Sequence, residues 1–210
     1  VCTAPASPPD WEALADLLAR VPYPVYARTP LWDFVAMNTY SLRLWEQDTP
    51  LIQALWADGL LGANMLRTIF DPRFEHRARK GGDHHWYADA QHCITSFRMM
   101  AFRYGHTARY RQILAEMQKL PEFARHWDLT RQIPASEALG SSPLLAVHHP
   151  AYGRLDFLST RLPRHYAGEP IDIAVYVPLP ASETAYRRLC ADVPQNRVTL
   201  FREAWEALQG

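Results

Sequence analysis

The spacing of apolar positions changes period more than once along this chain. Residues 1–9 (VCTAPASPP) have little to bury and read as a linker or frayed end. Asp10 is then placed as an N-cap for a helix over Trp11–Ala19, with Trp11, Leu14, Leu17 and Leu18 on one side. Pro22 and Pro24 stop it. Val25–Thr29 and Trp32–Met37 read as two short strands, joined by a turn at Thr29-Pro30-Leu31. Helical spacing follows. Asn38 caps Thr39–Glu46, Thr49-Pro50 opens a helix that ends near Gly59, and Asn64 opens Met65–Phe70, closed by Asp71-Pro72. Residues 75–85 are polar with a Gly81-Gly82 break, which predicts a surface loop with helical edges.

The strongest helix comes next. Trp86, Ala90, Cys93, Ile94, Phe97, Ala101 and Tyr104 make one continuous apolar face, while Met99 and Phe102 fall opposite. Its second half is thus apolar nearly all round, so it is either buried between two layers or in touch with a ligand or partner. Tyr110, Ile113, Leu114 and Met117 predict a further amphipathic helix, and Pro121 opens another with Phe123 and Trp127 at i, i+4. Beyond residues 134–142 the period becomes that of strands, at Leu144–His149, Arg154–Leu162 and Ile171–Val177, with a hairpin at Tyr152-Gly153. Asp172, Ala174 and Tyr176 alternate with Ile171, Ile173, Val175 and Val177, as in a sheet with one buried face. Residues 183–191 and 199–208 read as terminal helices.

The order is two strands, a run of helices, then three strands. It predicts an α+β fold: a PAS-like five-stranded antiparallel sheet with an enlarged helical block covering one face. The divisions expected are 1–21 as linker and first helix, 22–180 as the PAS-like domain, and 181–210 as a C-terminal helical extension.

Charge narrows the function. Lys+Arg and Asp+Glu both number 22. A free-standing nucleic-acid binder carries a basic excess, so DNA is not expected as this chain's own partner. Three scattered cysteines, Cys2, Cys93 and Cys190, make no disulfide framework and fit a reducing, cytoplasmic setting. There is no apolar run of membrane-spanning length and no signal peptide. The first residue is Val1 rather than Met, which reads as a cut or processed chain.

Catalytic chemistry finds little support. His84-His85 and His148-His149 are adjacent pairs, and neighbours on a strand point to opposite faces; His85 and Asp89 have i, i+4 spacing, but there is no HExxH. No nucleophile elbow is present, Cys93 sits on an apolar helix face, and Ser141-Ser142 has no paired base. Gly81-Gly82 is too short for a phosphate loop. No enzyme, metal or cofactor is expected.

What remains is an ordered series of aromatic, aliphatic and Arg motifs: LWDFVAMN (Leu31 to Asn38), NMLRTIFDPR (Asn64 to Arg73), Trp86 with the Phe97-Arg98 pair, PEFARHW (Pro121 to Trp127) and HHPAYGRLDF (His148 to Phe157). In order and spacing, over roughly residues 10–180, the chain resembles the ligand-binding domain of MmyB-like transcription regulators. Asp33, Asn38, Asn64, Leu66, Arg67, Phe70, Asp71, Pro72, Trp86, Ala90, Phe123, Trp127, His149-Pro150 and Gly153 fit the family pattern. Leu120 departs from it, standing where a capping Ser is common. The resemblance implies a PAS-like sensor for a small apolar molecule such as a fatty acid. It implies DNA contact only through an upstream helix-turn-helix, which does not precede Asp10 in this sequence.

The candidate ligand-binding set is Trp45, Met65, Phe70, Trp86, Ile94, Phe97, Met100, Ala101, Tyr104, Phe123, Trp127 and His149, with Arg98 as the cation for a carboxylate head. A stripe at helical spacing is core by default, so about a third of the large apolar residues are expected to line a cavity. For Arg98 the structural alternative is an ion pair with Asp89 or Asp128. His149 is read as a cap on its strand end or as one hydrogen bond to the pocket. The other function class is a PAS-like interaction module with a filled core, dimerising through the first or the last helix.

Overall fold

The computed structural model describes residues 10–47, 49–81, 83–132, 144–166 and 169–202, the side chains of 83, 84, 132, 166 and 169 excepted. Asp10 caps α1 (Trp11–Ala19), accepting a 2.9 Å bond from the Ala13 amide. Then come β1 (Val25–Arg28), β2 (Phe34–Asn38), α2 (Thr39–Leu44), α3 (Pro50–Ala57) and α4 (Met65–Phe70). Asn38, Thr49 and Asn64 cap these three helices with their side-chain oxygens. A short 3₁₀ turn and α5 (His76–Arg79) lead to α6 (Asp83–Tyr104), α7 (Ala108–Met117) and α8 (Pro121–Leu129). The strands β3 (Leu144–His149), β4 (Gly153–Tyr166) and β5 (Glu169–Pro178) follow, then α9 (Glu183–Ala191) and β6 (Val198–Leu200). Residues 134–142 and most of the expected last helix lie outside the described residues.

All strands form one antiparallel sheet of six in the order β3-β4-β5-β1-β2-β6. The sixth strand corrects the expected five. The sequence pattern predicts a helix over 199–208, but Val198–Leu200 pair with β2, and the Phe201 amide donates to the Val35 carbonyl at 2.8 Å. The free edge of β2 would otherwise leave its backbone groups unpaired, and β-branched Val198 and Thr199 suit that edge.

A second correction concerns the faces of the sheet. Its centre is covered on both sides, not one. Every residue of β1 and β2 is buried. Leu14 and Leu18 of α1 pack on Val25, Ala27, Val35, Ile171 and Ile173. The opposite face, carrying Tyr26, Phe34, Met37, Ala174 and Tyr176, meets Leu42, Ile52, Leu55, Trp56, Tyr186 and Leu189. The two-residue alternation in β5 therefore separates two apolar cores rather than a core from solvent.

A third core lies within the helical block, where Leu66, Ile69 and Phe70 meet Trp86, Ile94, Phe97, Tyr110, Ile113, Phe123 and Trp127. The apolar face of α6 is narrower than its sequence suggested. Ala101 is exposed and Phe102 fully so, at 100%. The buried stripe runs through Trp86, Ala90, Cys93, Ile94, Phe97 and Tyr104, with Thr95 buried beside it.

One polar knot ties the block to the sheet. Asp33 is 0% exposed and Arg109 8%. Arg109 donates from Nε and Nη2 to the Asp33 carboxylate at 3.0 and 2.6 Å, and its remaining N–H groups reach the carbonyls of Leu60 and Leu61 and the side-chain oxygen of Gln112. Asn64 donates to Asp33 Oδ1 at 2.7 Å while its own oxygen caps α4 at the Leu66 amide. Removing one member strands a buried charge. Asp33→Ala is expected to lower the unfolding free energy by about 3–5 kcal/mol, whereas Asp33→Leu with Arg109→Met should recover most of it. Urea melts of the single and double variants read this directly.

Candidate functional site

Where the sheet faces α4 and α5, the layers leave a cavity. The sheet supplies Tyr26, Phe34, Met37 and Tyr176. Tyr26 and Met37 oppose each other across β1 and β2, so their side chains leave the same face. The helical side supplies Ser41, Trp45 and Gln47 from α2 and the turn after it, Met65, Thr68 and Ile69 from α4, and His76 from α5. Asn38 sets α2 in place: its oxygen accepts from the Val25 and Ser41 amides at 3.1 and 2.9 Å, and its amide donates to the Tyr23 carbonyl.

The cavity is mostly aromatic and thioether-lined. Tyr176 donates to Tyr26 Oη at 3.3 Å, Tyr26 points on to Met65 Sδ at 3.7 Å, and Trp45 stacks on His76 with ring centres 5.0 Å apart. Among the described residues, three polar atoms on this lining have no protein hydrogen-bond partner: Ser41 Oγ, Gln47 Oε1 and His76 Nδ1. Their residues are 0%, 4% and 7% exposed, so water outside the protein does not serve them. Burial, with the nearby Lys80 and Arg79 charges, holds the His76 imidazole well below its usual pKa, so it is neutral. The space open to the centres of water-sized molecules is about 20 Å³, room for one water. A larger ligand would have to displace side chains, and two unbranched methionines and the half-buried Trp45 are the ones placed to move.

Of the candidate ligand residues, Trp45 and Met65 line this cavity. Phe70, Trp86, Ile94, Phe97, Tyr104, Phe123 and Trp127 fill the core of the helical block, with Met100 partly buried against it and Ala101 in solvent. Arg98 is elsewhere too. It lies over the Trp127 ring at 4.0 Å, donates to the Trp127 carbonyl, and donates to Thr130 Oγ1 at 3.1 Å. It thus caps the last turn of α8, a role open to a cation at a helix C-terminus. Asp89 pairs instead with Lys80, and Asp128 with Arg131. His149 accepts from the Ala151 amide at Nδ1 (3.1 Å), which leaves Nε2 to donate to the Arg43 carbonyl at 3.2 Å and ties the end of β3 to α2.

Sequence reasoning missed Tyr26, Met37 and Tyr176, although strand alternation places them on the face toward the helices. Gln47 and His76 gave no local signal, one being in a turn and the other at the start of a four-residue helix. A wider surface cleft of about 480 Å³ is lined by Trp56, Leu60, Arg109 and Phe201 among others. Its one buried cation, Arg109, is already spent on Asp33. Burial pushes the Cys93 thiol up to about 12, so it stays protonated and inert. Among the described residues no three His, Cys, Asp or Glu side chains come together as metal ligands, and no helix is long and apolar enough to cross a membrane.

A sheet and a helical layer thus meet around a small, largely apolar cavity with a few convergent polar atoms. Residues 11–191 match the family described as the MmyB-like transcription regulator ligand binding domain, and the chain belongs to that family. No curated protein matches it.

Two measurements probe these placements. Arg98→Ala is expected to cost about 1–3 kcal/mol in a urea melt, through loss of its charge-assisted bonds to the end of α8, and to leave the cavity residues in place. The second concerns pH. Burial, as the leading cause, depresses the His76, His126 and His149 imidazoles below their ordinary 6.5. The unfolded chain then binds more protons, so stability is full above about pH 6.5 and falls as the pH drops below it. His76→Gln should flatten that fall in thermal melts across this range.

Proposed function

We propose that this domain senses a small, largely apolar molecule, of the fatty-acyl kind, in the cavity between the sheet and the helical block. The observation that carries the reading is the lining: Tyr26, Phe34, Met37, Trp45, Met65, Ile69 and Tyr176 around polar atoms with no protein partner. Each buried methylene contributes about 0.8 kcal/mol, enough for a chain of moderate length to offset its ordering. The strand order β3-β4-β5-β1-β2 supports the PAS-like reading of the core sheet. Membership of the family supports a regulator's ligand-binding domain, with DNA contacted by a helix-turn-helix elsewhere in the regulator. Entry of a ligand parts α2, α4 and α5 from the sheet. The signal is then a shift between two arrangements of the helical block, set by the ligand's differential affinity for them.

The small size of the cavity favours a second reading, an interaction module with a filled core. Mass spectrometry of the gently purified protein separates the two. A near-stoichiometric acyl compound released on denaturation supports the sensor. An empty protein whose melting temperature ignores a panel of medium-chain acyl compounds supports the module. Met65→Phe is expected to crowd the cavity, weaken acyl binding at least about tenfold and leave the protein folded, since the residue is half-buried and overpacking costs about 1–3 kcal/mol.

A further inference from the structure

We infer that the cavity holds the uncharged polar end of its ligand, a hydroxyl or a carboxamide, in preference to a carboxylate. The inference rests on the sensor reading above and specifies the ligand's chemistry.

The unpartnered atoms decide the point. Gln47 Oε1 is an acceptor and calls for a donor. Ser41 Oγ can give and take one hydrogen bond, and His76 Nδ1 gives or takes one according to its tautomer. A ligand hydroxyl or amide carries both a donor and an acceptor, so it can serve Gln47 and one of the other two together. A carboxylate only accepts. It would leave the Gln47 oxygen unserved and facing another negative atom, at the cost of a buried unmatched polar group.

No Lys or Arg is among the lining residues. His76 is the one lining residue that could become a cation, and burial keeps it neutral. The cations nearest the cavity face acids, but Arg28 and Arg161 share one, Asp172, and Arg28 Nη1 also lies 3.6 Å from Met65 Sδ on the lining. Arg28 donates to Asp172 at 3.2 and 2.9 Å, Arg79 pairs with Glu46 and Glu75, and Lys80 pairs with Asp89. Arg79 keeps Nε and Nη1 without partners among the described residues, but it is outside the lining. Arg79 and Arg28 are the groups a carboxylate would have to recruit. A single buried water could meet the three atoms in the empty protein, and the ligand's polar group would take that water's place.

The test uses four probes of one chain length: 1-decanol, decanamide, decanoate and decane, titrated into the domain at about pH 8, where the acid is ionised. The expected result is that the alcohol and the amide bind at least about tenfold more tightly than decanoate, a difference of about 1.4 kcal/mol. Gln47→Leu and Ser41→Ala, each checked for folding by circular dichroism, should shrink that preference. The second keeps the test decisive if the first variant unfolds. Decanoate binding as well as or better than the alcohol overturns the inference, most directly if Arg79→Met then abolishes the decanoate binding. A preference that persists in both folded variants also overturns it. Equal binding of all four probes sinks the polar-end assignment but keeps the acyl pocket. Binding of none sinks both.

Discussion

The buried pair of Asp33 and Arg109 is the constraint on which the arrangement of this domain depends. It lies where three pieces of chain meet: the turn between β1 and β2, the start of α4, and α7. Around it the backbones interlock as well. The Phe34 amide donates to the Ala63 carbonyl and the Met65 amide to the Trp32 carbonyl, which leaves Trp32 in the left-handed region at φ 70°. Burial raises the Asp33 carboxyl pKa while Arg109 and Asn64 pull against it. A pair so desolvated adds little net stability over apolar residues. What it does is penalise every other arrangement, because any shift of α4 or α7 leaves a charge buried alone. The position of α4 relative to the sheet, and so the cavity's width, follows from it.

The cavity sits beside that rigid knot but is built of softer parts. Met37 and Met65 are unbranched, Trp45 is half-buried at the C-cap of α2, and His76 belongs to a helix of one turn that starts from a left-handed Glu75. One wall is thus a sheet fixed by backbone hydrogen bonds, and the other can yield. That division suits a sensor, which needs a site able to adopt two states within a fold that keeps one. The unpartnered Ser41, Gln47 and His76 atoms are consistent with it, since a polar group left unserved lowers the cost of opening and rewards a ligand that serves it.

The core of the helical block shows why aromatic residues at helical spacing are poor guides to a site. Phe70, Trp86, Phe97, Phe123 and Trp127 stack and interlock with one another, for example Phe97 on Tyr110 at 4.8 Å and Phe123 on Trp127 at 5.6 Å. Each helix presents the same kind of stripe whether it meets another helix or a ligand. Arg98 teaches the same about charge. At the edge of a stripe it resembles an anchor for an acid, yet a helix end one layer away offered carbonyls that a guanidinium satisfies equally well.

Local interactions explain what the sequence by itself determined. The caps at Asp10, Asn38, Thr49 and Asn64 bond amides only two or three residues away, so these helix starts were legible, as were five of the strands and most of the buried stripe of α6. The order and spacing of weak motifs also carried the family. The tertiary structure decided the rest, because those features rest on partners far along the chain. β6 exists by pairing with β2, more than a hundred and fifty residues earlier, as Thr39 and Arg197 do beside it. α1 buries the second face of the sheet by meeting Ile171 and Ile173. Arg109 gave no sign of its role until the fold brought it to Asp33. The cavity likewise draws Tyr26, Gln47, His76 and Tyr176 from segments whose own patterns speak only of strand, turn and helix.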